Sequence, residues 1–237
     1  MSQPSPAASG ALSGLVVLDL SRILAGPTCT QILGDLGAEV IKIERPDVGD
    51  DMRVTPPFVG DQSAPFMIWN RNKRSMILDL KSHEGLENFK RLAMDADVIV
   101  ENYKPGTADR IGIGYEAIKA INPRIIYCSI SGFGQTGPYA PRGGFDLISQ
   151  SMTGLAAVTG HEDEGPHRLP IPITDLCGGM NGCIGVLTAL AARERTGEGQ
   201  QIDVSLFESG IALGVYEAGY YFATGEQPPK LGQKHRG

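Results

Sequence analysis

The sequence is short of the features that usually announce a class. Its 237 residues include four cysteines, Cys29, Cys128, Cys177 and Cys183. None forms a C-x-x-C pair, and three lie in apolar or helical contexts, so buried free thiols are expected rather than disulfides or a zinc site. Lys and Arg number 21 against 27 Asp and Glu, a net charge of −6. No basic stripe offsets that balance, which argues against a nucleic-acid partner. No apolar run approaches the ~18 residues of a membrane helix, so no membrane partner is expected. The opening "MSQPSPAASGALSG" lacks a basic start followed by an apolar core. Residues 1–12 therefore read as a disordered tail rather than a signal peptide, and the expected location is cytoplasmic. No serine sits in G-x-S-x-G, so a nucleophile elbow is unsupported. The four histidines, His83, His161, His167 and His235, lack metal-type spacing and lie in polar contexts; no metal is expected.

What is present is an ordinary globular balance, 41% hydrophobic and 20% charged, in a length within reach of one large α/β domain. Short apolar runs alternate with helical patterns. "LVVLDL" (Leu15–Leu20), "EVIKIE" (Glu39–Glu44), "SMILDL" (Ser75–Leu80), "DVIVEN" (Asp97–Asn102) and "RIIYCSIS" (Arg124–Ser131) read as buried strands. "TCTQILGDLGA", "HEGLENFKRLAMDA" and "GYEAIKAIN" read as the helices between them. A long helix is predicted from Asp175 to Gly197, with Arg193 and Arg195 placed to suit its dipole, and "QQIDVSLFES" as a last strand entering a helix. This alternation predicts an α/β fold, a Rossmann-like, mostly parallel sheet with helices on both faces. In such sheets ligands bind beyond the carboxyl ends of the strands. Ser21-Arg22, Arg45, Asn102-Tyr103 and the loop after Ser131 all lie there and are expected to share one crevice.

"GFGQTG" (Gly132–Gly137) is a literal G-x-G-x-x-G after a strand, but "PYAPRGG" follows it instead of a helix. A dinucleotide site needs the helix, so a loop over a ligand or a plain turn is the reading. Arg22, Arg45, Arg110 and Arg142 follow strands or sit in glycine-rich loops. Arginine suits phosphate, although surface charge explains any one of them as well. In "RLPIPITDLCGGMNG" (Arg168–Gly182) two prolines stiffen the approach to one acid, Asp175, and glycines follow. Asp is a favoured N-cap, so Asp175 is expected to cap the helix. The dipole is also expected to keep it ionised. An ionised carboxylate is a candidate nucleophile, and Gly178 and Gly179 are expected to let a bulky ligand reach the backbone.

Taken in order, "LSGLVVLDLSRILAGPTCTQILGDLGAEVIKIERP", "ILDLKSHEG", "DVIVENYKPGTADRIGIGYEAI", "NPRIIYCSISGFGQTGPYAPRGGFD" and "PIPITDLCGGMNG" resemble the class III CoA-transferases of the formyl-CoA transferase and CaiB/BaiF type. The resemblance covers nearly all of the chain after the tail. It implies a large CoA-binding α/β domain over residues 13–224 and a linker, beginning at 225–237, to a small domain missing here. The natural protein is thus expected to be longer, and a chain ending at "PPKLGQKHRG" is expected to be inactive alone. It implies an enzyme moving CoA between an acyl-CoA and a carboxylic acid, with the acyl-CoA as substrate and no separate cofactor. It implies interlocked homodimers when full length. It makes Asp175 the covalent nucleophile. It assigns CoA contacts to Arg22, Ala25, Arg45, Asn102, Tyr103, Arg110 and Arg142. Two alternatives stand beside this reading: a CoA-binding protein or fragment without catalysis, and an acyl-CoA racemase. Racemases of the superfamily place a histidine before the acid of "GHD"; here Phe145 precedes Asp146, which favours transfer.

Overall fold

A computed structural model describes residues 10–235 of the chain. In chain order it contains β1 (Val16–Asp19), α1 (Ala25–Asp35), β2 (Glu39–Glu44), the short strands β3 (Phe58–Val59) and β4 (Gln62–Ser63), α2 (Ala64–Trp69), β5 (Lys73–Ile77), α3 (His83–Asp95) and β6 (Val98–Glu101). There follow α4 (Thr107–Arg110), α5 (Tyr115–Lys119), β7 (Ile126–Ser131), α6 (Asp146–Met152), α7 (Leu155–Val158), α8 (Ile173–Thr196), β8 (Gln200–Ser205), α9 (Leu206–Leu213) and α10 (Val215–Thr224).

Six strands form one sheet in the order β5-β2-β1-β6-β7-β8. Every neighbouring pair is parallel. Along β1, Val17 and Leu18 point to opposite faces, as the two-residue period of a strand demands. Val17 joins Cys29 and Leu33 of α1 with Cys183 and Val186 of α8 on one side. Leu18 joins Phe89 of α3 and Ile118 of α5 on the other. With both faces covered, the strands can be apolar throughout, which is why they were legible as continuous runs. The chain runs from β1 outward to β5 and then returns to add β6, β7 and β8 on the far side. The order reverses between β1 and β6, the point at which open parallel sheets hold ligands.

Three sequence expectations need correction. The third main strand is Lys73–Ile77 rather than Ser75–Leu80; its pairing with β2 recruits Lys73 opposite Val40. Lysine in a strand breaks an apolar pattern, but here it is held by a buried acid. The long helix opens at Ile173, two residues before Asp175, with Pro172 as N-cap. Its 24 residues are long and apolar enough by composition to cross a bilayer. Gly, Asn and Thr interrupt the run and hid that from inspection. In this fold α8 packs on α1, β7 and β8, and its Gly178, Gly179, Gly182, Cys183, Val186 and Ala189 are buried. Arg193 and Arg195 lie in its last turn, as expected, and Arg193 also bonds Asp97 (2.8 Å) and the Arg124 carbonyl (3.2 Å).

The expected tail lies outside the described residues up to residue 9. Leu12 already donates its N–H to the Leu36 carbonyl (3.0 Å) and packs against the core. After α10 the described residues have no helix or strand, and the Gly232 N–H donates to the Gly160 carbonyl (3.1 Å).

Candidate active site

The loop from Ser21 to Leu24 leaves β1 at the switch point, and it is fastened from below by a buried set of charges. Asp19 accepts from Ser21 Oγ (2.5 Å), Thr30 Oγ1 (2.8 Å) and Lys73 Nζ (2.9 Å). Lys42, 1% exposed, donates to the Ser21 carbonyl (2.8 Å). Its Nζ also lies 2.8 Å from Asp50 Oδ2, a pair made by proximity rather than by hydrogen-bond direction. Two buried acids thus face two buried lysines, and no net charge is stranded. Burial alone would raise the Asp19 pKa, but Lys42 and Lys73, with the Ser21 and Lys73 hydrogen bonds, hold it well below the carboxylate range.

This network shapes the backbone above it. The other Asp50 oxygen, Oδ1, accepts from the Ile23 N–H (3.1 Å). Ile23 stands at φ +69°, a left-handed conformation costly for a β-branched residue. Asn102, at the end of β6, accepts from the Arg22 N–H (2.8 Å) and donates to the Arg22 carbonyl (2.7 Å). Both ends of its amide are used in joining the two strand ends, so it positions the loop. Sequence reading missed Asp19, Lys42, Asp50 and Lys73. The signals were there: one acid inside "LVVLDL" and one lysine inside "EVIKIE".

Two adjoining cavities open over these strand ends. The larger, about 520 Å³, is lined by Arg22, Lys42, Arg45, Lys81, Tyr103 and Thr107 among others. The smaller, about 120 Å³, is lined by Leu24, Ala25, Asn102, Tyr103, Ser131, Arg142, Phe145 and Asp175 among others. Tyr103 borders both. Its N–H donates to Glu101 Oε2 (2.6 Å), and Arg22 lies 5.7 Å over its ring. Arg22 and Arg45 both pair with Asp51. Arg142 stacks 4.2 Å over Tyr139 and is exposed. The structure thus places all but one of the residues marked from sequence on one or other of two adjoining cavities. Arg110 lines neither cavity; it is exposed and donates to Thr107 Oγ1 (2.9 Å) at the rim of the larger one. Arg142 lines the Asp175 cavity, whereas Arg22 and Arg45 line the larger one.

Asp175 lies in the first turn of α8, but it does not cap the helix. Asp146 does so from α6, accepting at Oδ1 from the Thr174 N–H (2.9 Å) and hydroxyl (2.8 Å). Asp146 is in turn held by Gln150 Nε2 (2.7 Å). The capping acid is therefore separate from the cavity acid, and Asp175 is left half-buried, facing open space. The expectation that the helix dipole keeps Asp175 ionised is also corrected. Burial pushes its pKa from 3.8 up to about 7, and the Asp146 carboxylate adds to the rise. Burial likewise raises Glu101 to about 7, behind Tyr103.

Gly178 and Gly179 do not open the backbone to a ligand. A Cβ on Gly178 would lie 2.6 Å from Leu206 Cδ2, and one on Gly179 would lie 2.5 Å from the Ala25 carbonyl. These glycines let α8 approach α9 and α1, and they seat Asp175 beside the start of α1. Gly179→Ala is expected to destabilise the fold by roughly 1–3 kcal/mol, because the clash is with backbone. Gly219→Ala meets nothing within 4 Å and is expected to be neutral or to stabilise by up to ~1 kcal/mol. Denaturant melts of the two variants check the contrast.

A family model described as "CoA-transferase family III" matches residues 12–237. The chain is 46% identical over 237 residues to an acetyl-CoA:oxalate CoA-transferase of Acetobacter aceti, covering 99% of this chain and 61% of that protein. It is 46% identical over 225 residues to a succinyl-CoA:glutarate CoA-transferase of Mus musculus, covering 94% of this chain and 52% of the relative. Among solved structures, a CaiB/BaiF family protein from Brucella suis superposes with a TM-score of 0.92 at 44% identity, covering 95% of this chain and 61% of that one. The chain therefore spans about half to six tenths of the length of the relatives it matches.

Proposed function

The chain belongs to CoA-transferase family III, and from that premise we propose that it carries the CoA-binding and nucleophilic half of an acyl-CoA:carboxylate CoA-transferase working through Asp175. The observation that carries this reading is the division of labour between two acids. Asp146 caps α8, so Asp175 is free to face the cavity.

In the proposed reaction the Asp175 carboxylate attacks the acyl carbon of the thioester. A C–O bond forms, the C–S bond breaks, and CoA leaves as the thiolate. The thiolate then attacks the aspartyl carbonyl of the mixed anhydride, which gives an aspartyl-CoA thioester and releases the donor acid. An acceptor carboxylate attacks that thioester and expels the thiolate. The thiolate finally attacks the acyl carbonyl of the new anhydride, forming the new acyl-CoA and restoring Asp175. A partly desolvated carboxylate suits the first step, since it has little water to shed before attack. No histidine lines either cavity among the described residues, which supports transfer over racemisation.

The larger cavity suits the nucleotide end of CoA, with Arg22, Arg45 and Lys81 as its cations and Tyr103 at the passage toward Asp175. Arg142 falls to the reacting end. The relatives' names point to small dicarboxylic acids such as oxalate and glutarate as acceptors. Exposed apolar side chains on α8 and α10, Ile184, Val215, Tyr216 and Phe222, support a homodimer in the complete protein. In that protein, Arg45→Ala should weaken CoA binding by about 1–2 kcal/mol, the lower part of the range for a charged phosphate contact, because Arg45 is exposed. Calorimetry with CoA checks it; an unchanged affinity would remove Arg45 from the nucleotide site.

A further inference from the structure

Glu101 ends β6 beside the place where the strand order reverses, and it is 4% exposed. It follows Ile99 by two residues, and Ser129, two residues after Tyr127, stands opposite it in register. Ile99 and Tyr127 belong to the core beneath α3 and α5. Strand alternation therefore turns Glu101 and Ser129 to that face, opposite α8. The Ser129 hydroxyl donates to the Glu101 carboxylate, and the Tyr103 N–H donates to its Oε2 (2.6 Å). Among the described residues Glu101 makes no ion pair. Two further acids act on it instead, Asp109 of α4 and Asp203 of β8, and after burial they add to the rise of its pKa to about 7. A buried acid without a cation costs stability, and such groups gather at functional sites.

The residues that follow give the carboxylate its role. Asn102 holds the N–H and carbonyl of Arg22 (2.8 and 2.7 Å). The Glu101–Tyr103 bond reaches across Asn102 and fixes the direction in which the chain leaves β6. Tyr103 lines both cavities, and it packs against the α3/α5 core. The guanidinium of Arg22 lies 5.7 Å over its ring, and Arg22 lines the larger cavity. The backbone at Tyr103 thus sets both the ring at the passage and the support under one cavity cation. An ionised acceptor holds that backbone more firmly than a neutral one, since charge-assisted bonds are roughly twice as strong.

We propose that Glu101 is a positioning residue for CoA: its carboxylate, through the Tyr103 N–H, holds the Tyr103 ring and the Arg22 guanidinium where the bound nucleotide meets them. The inference rests on the CoA site proposed above and is independent of the nucleophile. Glu101 lines neither cavity, so it acts through Tyr103 rather than on substrate. Loosening its bond lowers the share of molecules with Tyr103 in the binding position, and apparent affinity falls by that share.

The test is Glu101→Gln and Glu101→Met in the complete protein, by calorimetry with free CoA, exchange kinetics and thermal melts at pH 8. Glutamine keeps an acceptor without the charge, and methionine keeps only the volume. The expected result is a CoA affinity lower by about threefold for Glu101→Gln and about tenfold for Glu101→Met. KM for acyl-CoA should rise alike, with kcat within about twofold of wild type. Glu101→Gln should also melt higher than wild type. At pH 8 the carboxyl is ionised in the folded and unfolded chains, and its raised folded pKa makes that charge a cost that glutamine removes. A residue with a structural role alone would not lower affinity while raising stability. In a Tyr103→Ala background, Glu101→Met should cost little further affinity. Wild-type CoA affinity in both variants would overturn the proposal. So would a Glu101→Gln protein that loses Tm together with affinity, or a loss from Glu101→Met undiminished by Tyr103→Ala. None of these results touches Asp175, whereas a wild-type protein that fails to bind CoA would remove the CoA site and this inference with it.

Discussion

Replacing Asp175 with asparagine should abolish CoA exchange in the complete protein while leaving CoA bound. A neutral amide cannot form the anhydride, and the expected fall in kcat is at least ~10⁴-fold, the scale seen when a covalent nucleophile is removed. The same change should stabilise the fold, increasingly as pH rises above about 4. The Asp175 pKa rises from 3.8 to about 7 on folding, through burial and then Asp146. The folded state therefore holds this proton more tightly than the unfolded chain. Below about pH 4 the carboxyl is protonated in both states and costs nothing. As pH climbs from 4 to 7 the unfolded chain ionises first, and the fold loses stability through that window. A shift of this size corresponds to a few kcal/mol, on the order of 2–4 once residual solvent contact is allowed for. Asparagine removes the penalty, so the difference in Tm between the two proteins should be small near pH 4 and widest above pH 7. Glu101 titrates in the same window, but it is present in both proteins and cancels. A variant no more stable than wild type at pH 8 would contradict the burial argument, and one that retained exchange would contradict the nucleophile. Wild-type kcat should correspondingly fall as pH drops below about 7 and Asp175 takes up its proton.

Lys42→Met should be the most damaging single change in the charge network beneath the Ser21–Leu24 loop. It leaves Asp50 buried beside an apolar chain and Asp19 with Lys73 as its remaining cation. Breaking one side of a buried ion network costs about 3–5 kcal/mol, which for a chain of this size lowers Tm by roughly 10 °C. The Ser21 carbonyl also loses its donor, and Asp50 loses its reason to stay beside Ile23. CoA affinity should therefore fall as well, although Lys42 sits beneath the loop. Thermal melts and CoA calorimetry on the single variant and on Lys42→Met with Asp50→Leu separate the causes. The double variant should regain stability, because no lone charge remains. Continued loss of stability equal to the single change would show that the ion pair is not the origin of the effect.

The sheet was legible because its strands are buried on both faces and so carry runs of Val, Ile and Leu. "EVIKIE" was bounded to the residue as Glu39–Glu44. β5 was misplaced because Lys73 enters the strand only with Asp19 waiting beside it, a long-range fact that no local pattern carries. The same holds at α8. Capping preference pointed to Asp175, and the actual cap, Asp146, comes from 28 residues away. The cavity residues were found by their position after strand ends and by resemblance. Their division between two cavities, with Arg142 beside Asp175 and Arg110 outside both, depends on loop paths that the strands do not dictate.

The most direct test is to look for the covalent intermediate. The complete protein, incubated with an acyl-CoA and an acceptor acid, is reduced with borohydride or trapped with hydroxylamine during turnover and then digested. Mass spectrometry should find the modification on the α8 peptide at Asp175, dependent on acyl-CoA and absent from Asp175→Asn. Exchange that proceeds with Asp175 unmodified, or an adduct on another carboxylate such as Asp146 or Glu101, would contradict the account.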